Sequence, residues 1–223
     1  MAPNYGPKIP RRNLSLFFDP ANAKSYPGSG TTIFDLSGNG NNGAIGGAPT
    51  FANNYMTYDG TDDQITVTSN QDSLNFTGEQ TIIIWMYHTF TSGRRNPYDQ
   101  AYGGYGTWTH ESGNNINHFY GTAGANASPY SARGSATTNR SEWQMMAVTR
   151  SISTINWYRN GTLSNTAGNP YGKTGTTTAN IRFGVGYAGR WIGNMGPMML
   201  YNRAIDSDEM KQIYNAFKGR FVL

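Results

Sequence analysis

The sequence contains no cysteine, so no disulfide can staple it and no thiolate is available as a nucleophile or metal ligand. Charge is scarce as well. Asp, Glu, Lys and Arg make up 13% of the 223 residues, roughly half the ~25% of an average soluble domain. Glutamate is limited to Glu79, Glu111, Glu142 and Glu209. No stretch approaches the ~20 apolar residues of a membrane-spanning helix, and the opening MAPNYGPKIP lacks the apolar core of a secretory signal. There is no block of like charge, no internal repeat and no Pro/Ser-rich linker. These absences exclude a disulfide scaffold, a membrane-inserted chain and a polybasic nucleic-acid tail. The expectation is a chain made in the cytoplasm without a signal peptide, with one large domain and no nucleic-acid partner. The net charge of +4 and pI near 9.2 come from scattered Lys and Arg, with only Arg11-Arg12 and Arg94-Arg95 adjacent.

What is present is β-patterned. Asn13–Asp19 (NLSLFFD), Glu79–Phe90 (EQTIIIWMYHTF), Glu142–Arg150 and Ser153–Arg159 are short runs rich in β-branched, aromatic and apolar residues. The Glu79–Phe90 run is the most apolar and is expected to be central. Asn160-Gly161 is a tight-turn signal, and Tyr55–Thr68 reads as two strands around a turn at Asp59-Gly60. Arg94–His110, rich in Gly and Tyr, reads as a long loop. Residues 1–12 carry Pro3, Pro7 and Pro10 and cannot build a helix. They read as an extended arm, with Tyr5, Ile9, Arg11 and Arg12 available to dock on a neighbouring chain, or as a frayed terminus.

The end of the chain is the most legible part. Met195–Tyr201 reads as a buried strand, with Pro197 expected at its start or on an edge. Asp206 and Glu209 have the spacing of a helix N-cap and capping box. Met210, Ile213, Tyr214 and Phe217 then make one apolar helical face, and Gly219 supplies the expected stop.

This closing segment, GNMGPMMLYNRAIDSDEMKQIYNAFKGRF, resembles the end of laminin-G-like, concanavalin-A-like jelly-roll domains, where a YNRAL-type strand end precedes a short helix. YMTYDGTDDQITVT, EWQMMAVTR and STINWYRNG resemble further elements of that family. SYPGSGTTIFDLSGNGNNGAI resembles the version found in tailed-phage virion proteins, particularly of marine phages. The resemblance implies an all-β, two-sheet antiparallel jelly-roll sandwich over residues 13–223 with one short C-terminal helix, and a first strand lying against the last. It also implies a virion location, as capsid decoration or tail fibre, with other virion proteins as partners and assembly as a homo-oligomer or within a particle.

Chemistry is sparse. Glucanases of the same superfamily need two acidic side chains on one strand face, and no such spacing exists; Asp62 and Asp63 point to opposite faces of an extended chain. His88, His110 and His118 have no metal-type spacing, so no enzyme is expected. Sugar recognition needs exposed aromatic faces beside amides or guanidinium groups. Tyr98, Tyr102, Tyr105 and Trp108 (with Asn96 and Asp99) offer one such group, and Tyr187, Arg190 and Trp191 a second. The alternative is that these aromatics seal the sandwich or a subunit interface. No cofactor is expected. Calcium is the one metal to weigh, since several laminin-G-like domains bind it, with Asp59, Asp62, Asp63 and Asn194 as oxygen ligands, or else as turn residues bonding their own backbone.

Overall fold

The computed structural model describes residues 8–52, 54–100, 106–122 and 130–221, with the side chains of Tyr130 and Arg133 left aside. Among the described residues, sixteen strands and one helix follow in chain order: β1 (Leu14–Phe18), β2 (Thr32–Ile33), β3 (Gly43–Gly46), β4 (Thr50–Ala52), β5 (Tyr55–Asp59), β6 (Gln64–Val67), β7 (Gln80–Tyr87), β8 (Arg95–Gln100), β9 (Gly106–His110), β10 (Asn115–Gly121), β11 (Tyr130–Thr137), β12 (Gln144–Arg150), β13 (Thr154–Arg159), β14 (Thr162–Gly168), β15 (Ile181–Phe183), β16 (Ile192–Tyr201) and α1 (Ser207–Phe221). They form two antiparallel eight-stranded sheets. One runs β14-β13-β12-β7-β16-β5-β4 with β1 added on β16, and the other runs β11-β10-β9-β8-β15-β6-β3-β2. This is the two-sheet jelly roll expected from the sequence, with β7 central and β1 on the closing strand.

Strand β16 organises the first sheet. Its first half pairs with β5 and its second half with β1, while β7 lies along its other side. Pro197 sits inside this strand rather than at its start. The register with β7 breaks between Met195 and Met198, a bulge in which proline's missing N–H costs no ladder bond. A Cβ on Gly196 would stand 2.8 Å from the Phe221 ring, so the glycine lets the helix approach.

Two apolar layers result. Alternate residues of both sheets, among them Ile82, Ile84, Met146, Val148, Trp108, Trp157 and Phe183, fill the space between the sheets. The other face of the first sheet (Ile83, Trp85, Met145, Met199, Tyr201) is covered by Met210, Ile213, Phe217 and Phe221 of α1. Asp206 Oδ1 accepts the amides of Asp208 and Glu209 at 3.0 and 2.9 Å, and Glu209 closes the capping box on the Asp206 N–H at 3.4 Å. The helix continues through Gly219 instead of stopping there. Arg220 reaches the buried Asp19 carboxylate at 2.9 Å, and Phe221 stacks on Trp85 at 4.9 Å. Those two anchors reward the extra turn.

Two other expectations change, for Arg94–His110 and for the arm. Arg94–His110 holds strands β8 and β9, whose alternation is masked by Gly and Tyr and by Pro97 at a register irregularity. The Asp59-Gly60 turn lies between two strands, as expected, and it crosses between the sheets, since β5 and β6 belong to different ones. Residues 8–12 fold back on their own domain. Ile9 is buried in the helix-side layer, Tyr201 Oη donates to the Pro10 carbonyl at 3.0 Å, Gln212 to that of Lys8 at 3.0 Å, Arg11 to that of Leu36 at 2.9 Å, and Arg203 Nε to that of Arg12 at 3.0 Å. Ile9 and Arg11 are therefore used by the domain itself, Arg12 gives it only its carbonyl and faces solvent, and Tyr5 lies outside the described residues.

Candidate functional site

One end of the sandwich brings together an exposed aromatic, several guanidinium groups and an acidic turn. Three segments meet there: the crossing turn after β5, the start of β8, and the turn between β15 and β16. Ile192 pairs with Asp59, and a Cβ on Gly60 would fall 2.4 Å from Ile192. Asn96 ties the third segment to the second. Its Oδ1 accepts the amides of Ala188 and Gly189 at 2.6 and 3.2 Å, and its Nδ2 donates to the Trp108 carbonyl at 2.8 Å. Asn96 is wholly buried, so it builds the site rather than meeting a ligand.

On this scaffold Tyr187 is 69% exposed, and Arg190 is half-buried in the same turn. Arg95 lies 5.7 Å over the Phe90 ring, and Arg94 pairs with Glu111 at 2.9 Å. Arg190 Nη1 and Arg95 Nε are both buried without a hydrogen-bond partner. Beneath them Phe90, His88, His110 and Trp191 pack ring against ring at 4.5–6.0 Å. His88 Nε2 and His110 Nε2 share the Thr138 hydroxyl at 3.0 and 2.7 Å. Burial, aided by Arg140, lowers the His88 pKa to about 4; burial, aided by His88, lowers that of His110 to about 3. Both rings are neutral packing groups at pH 7.

The sequence-based site residues divide accordingly. Tyr187 and Arg190 share one exposed turn. Tyr98, Trp108 and Trp191 are fully buried and leave no face for a sugar. The places of Tyr98 and Trp108 in the alternation of β8 and β9 point them inward, which corrects the reading of Arg94–His110 as a loop, and Trp191 packs against His88, Phe90 and His110. Asp99 is likewise buried, paired with Arg182 and accepting from the Thr107 hydroxyl. Tyr102 and Tyr105 lie outside the described residues.

The carboxylates of Asp59, Asp62 and Asp63 offer oxygens within 4.8 Å of one another. Asp63 is buried, and its two oxygens accept the amides of Ala48 and Asp59, each at 2.9 Å. Asp59 and Asp62 face solvent. The donor set is hard oxygen and suits a cation such as calcium. Asn194 is not part of the group; its carbonyl accepts the Thr57 hydroxyl at 2.9 Å. Among the other acids, Asp19, Asp99, Glu111 and Glu209 are each paired with an arginine.

A second feature escaped the sequence reading. At the opposite end of the second sheet, Gly40, Asn41, Asn42, Thr68, Ser69, Asn70 and Gln71 line an open cleft of about 510 Å³. Its amides are largely spent on the fold. Asn41 donates to the Ser15 carbonyl at 2.7 Å and accepts from Asn70 at 2.9 Å, and Gln71 donates to the carbonyl of Thr177. The run SGNGNNG was the available signal, and it reads equally as a turn.

Residues 59–211 match the family model of the concanavalin A-like lectin/glucanases superfamily, in its laminin-G form. No curated protein matches the sequence. Among solved structures, the binding domain of botulinum neurotoxin serotype D is similar with a TM-score of 0.73 and 12% identity, over 92% of this chain and 52% of that one. The binding domain of Paraclostridial Mosquitocidal Protein 1 is similar at 0.71 and 14%, over 92% and 52%. A Trypanosoma rangeli sialidase is similar at 0.68 and 13%, over 99% and 36%. The chain thus spans about half the length of the two toxin binding domains and about a third of the sialidase. At these identities the likeness is one of fold. With the family model covering well over half its length, the chain belongs to the concanavalin A-like lectin/glucanases superfamily.

Proposed function

We propose that this chain is a non-enzymatic virion structural protein, a capsid decoration or a tail-fibre component, which docks on other virion proteins and presents its Tyr187 end to host-surface glycan. The virion half rests on the resemblance of SYPGSGTTIFDLSGNGNNGAI and the closing segment to tailed-phage proteins. The recognition half is carried by one observation: an aromatic 69% exposed, in the same turn as a half-buried guanidinium, that of Arg190. An aromatic face stacks on a sugar ring and a guanidinium donates to its oxygens. That the similar solved structures include toxin binding domains agrees with a binding role.

The second reading is a lectin-like module whose main work is host adsorption, favoured by the same exposed turn. Mass spectrometry of purified particles, with antibody labelling in the electron microscope, separates the two. The structural reading expects the protein at many copies per particle, and particles lacking it to be defective in assembly or stability. Intact particles that lose only host adsorption would replace it with the lectin reading.

A further inference from the structure

Far from the Tyr187 end, the layer between the sheets contains a cluster of polar atoms with no protein partner. His118 on β10 is fully buried, and neither of its ring nitrogens makes a hydrogen bond. The same holds for both amide atoms of Gln80 on β7 and for the indole nitrogens of Trp108 on β9 and Trp157 on β13. These groups are neighbours. His118 pairs across the ladder with Trp108, and Trp108 lies 4.9 Å from Trp157, ring to ring. A Cβ on Gly106 would stand 3.5 Å from both Gln80 Oε1 and His118 Cε1, and one on Gly134 would stand 3.3 Å from Trp157 Nε1. Gly106 on β9 therefore omits a side chain beside Gln80 and His118, whereas Gly134 on β11 lets the Trp157 ring approach, its Cβ position falling 3.1 Å from Trp157 Cδ1.

A buried donor or acceptor left bare costs more than an ordinary hydrogen bond returns. Six such atoms in one place are better explained by a ligand than by tolerance. Their chemistry defines it. The Gln80 amide brings two protons and a carbonyl, the indoles one proton each, and a neutral imidazole one proton and one lone pair. Arg150, also buried, donates to the carbonyls of Gly78 and Phe76 and lies 5.6 Å over the Tyr120 ring. Its charge disfavours a cation nearby. An anion could only accept, and would leave Gln80 Oε1 and the His118 lone pair without a donor; the set suits a neutral group that both accepts and donates, a hydroxyl.

We propose that His118, Gln80, Trp108 and Trp157 form an internal binding chamber for small hydroxyl-bearing molecules, either water or a small polyol. A buried water makes about three hydrogen bonds, so six atoms match about two waters. All four side chains are fully buried, so exchange with solvent requires local opening of the second sheet.

Oxygen-17 relaxation dispersion on the whole protein counts waters that tumble with it, and crystals grown without polyol, then soaked in glycerol, distinguish the two sources. The expected result is about two long-lived waters bonded to these four side chains, or a glycerol oxygen in their place after soaking. Gly106→Ala provides the internal control. Its Cβ meets only ordinary contacts at 3.5 Å and its φ is not left-handed, so the variant should fold and lose one long-lived water. Gln80→Met should lower Tm, because the ligand loses partners. Absence of long-lived waters and of bound glycerol in the wild type, with Gln80→Met raising Tm, would overturn the proposal.

Discussion

The two layers on either side of the first sheet are built on different terms. On the helix side, apolar side chains meet apolar side chains, and the polar groups that enter are satisfied. Tyr201 donates to Pro10, and the Thr81 hydroxyl donates to the Arg203 carbonyl at 2.7 Å. Among the described residues, Trp85 Nε1 is the single buried side-chain polar atom of that layer without a partner. The inter-sheet layer is apolar through its middle but polar at both ends: His88, His110 and Trp191 at one, Gln80, His118 and Arg150 at the other. The difference teaches where each layer's work lies. The helix side is a dry clamp. The inter-sheet layer places buried polar groups at its ends, several of them without a partner, where the loops and the candidate site are.

Phe217 is the residue on which the helix-side clamp depends most. Its ring is fully buried and meets Phe17 edge-on at 6.1 Å. Phe217→Ala should cost about 3–5 kcal/mol by denaturant unfolding, through lost transfer energy and a cavity in a well-packed layer. A loss below about 0.5 kcal/mol would show that α1 contributes no clamp.

The helix side was also the legible side, and for a related reason. Met210, Ile213 and Phe217 repeat at helical spacing and Asp206 precedes Glu209 by three, so local rules point the same way as the packing. What the sequence could not display was long-range compensation. Gly219 reads as a stop until Asp19, some 200 residues away, supplies an ion-pair partner for Arg220. Pro197 reads as a strand start until the bulge against β7 is seen. Tyr98 and Trp108 looked like a sugar platform because Gly- and Tyr-rich stretches resemble loops, while the strand alternation that buries them depends on partners elsewhere. Of the candidate site, Tyr187, Arg190 and the acidic turn were legible as residues. Their meeting at one end was not, because Asn96, the side chain that fixes the turn, acts across 92 positions.

The next effect separates the layers by pH. An unfolded histidine has a pKa near 6.5, whereas burial lowers His88 to about 4 and His110 and His118 to about 3. Between these values the unfolded chain binds more protons, so stability rises with pH. The contribution is whole above about pH 6.5 and is lost as pH falls towards about 3. On the helix side, hydrogen bonding to Arg203 lowers the Glu209 pKa below its ordinary 4.5. Its contribution is whole above that value and is lost only as pH falls through the lowered one. Tm should therefore decline already between about pH 6.5 and 5, with a slope that Glu209→Gln leaves unchanged. Proton NMR of the imidazoles would sink this if the three rings titrate near 6.5 in the folded protein.

The smallest effect on stability should accompany the largest on recognition. Tyr187 is 69% exposed, and substitutions at such surface positions usually stay within about 0.5 kcal/mol. Its turn is held from below by Asn96, whose Oδ1 takes the amides of Ala188 and Gly189, and by the Trp191 amide, which donates to the Gly184 carbonyl at 2.9 Å. Those bonds are made by Asn96 and the backbone, so Tyr187→Ala should leave the turn in place and move the melt little. If the ring stacks on sugar, the same change should remove most glycan binding on an array, since a lost aromatic platform forfeits both contact area and orientation. Arg190→Ala should weaken binding too, and Arg190→Lys should restore little of it, because an ammonium cannot reproduce the guanidinium's planar fork. Trp108→Ala should show the reverse pattern, unfolding the inter-sheet layer before it touches recognition. If Tyr187→Ala binds glycans as the wild type does, the Tyr187 end is not the recognition surface, and the amide-lined cleft at the far end of the second sheet becomes the place to look.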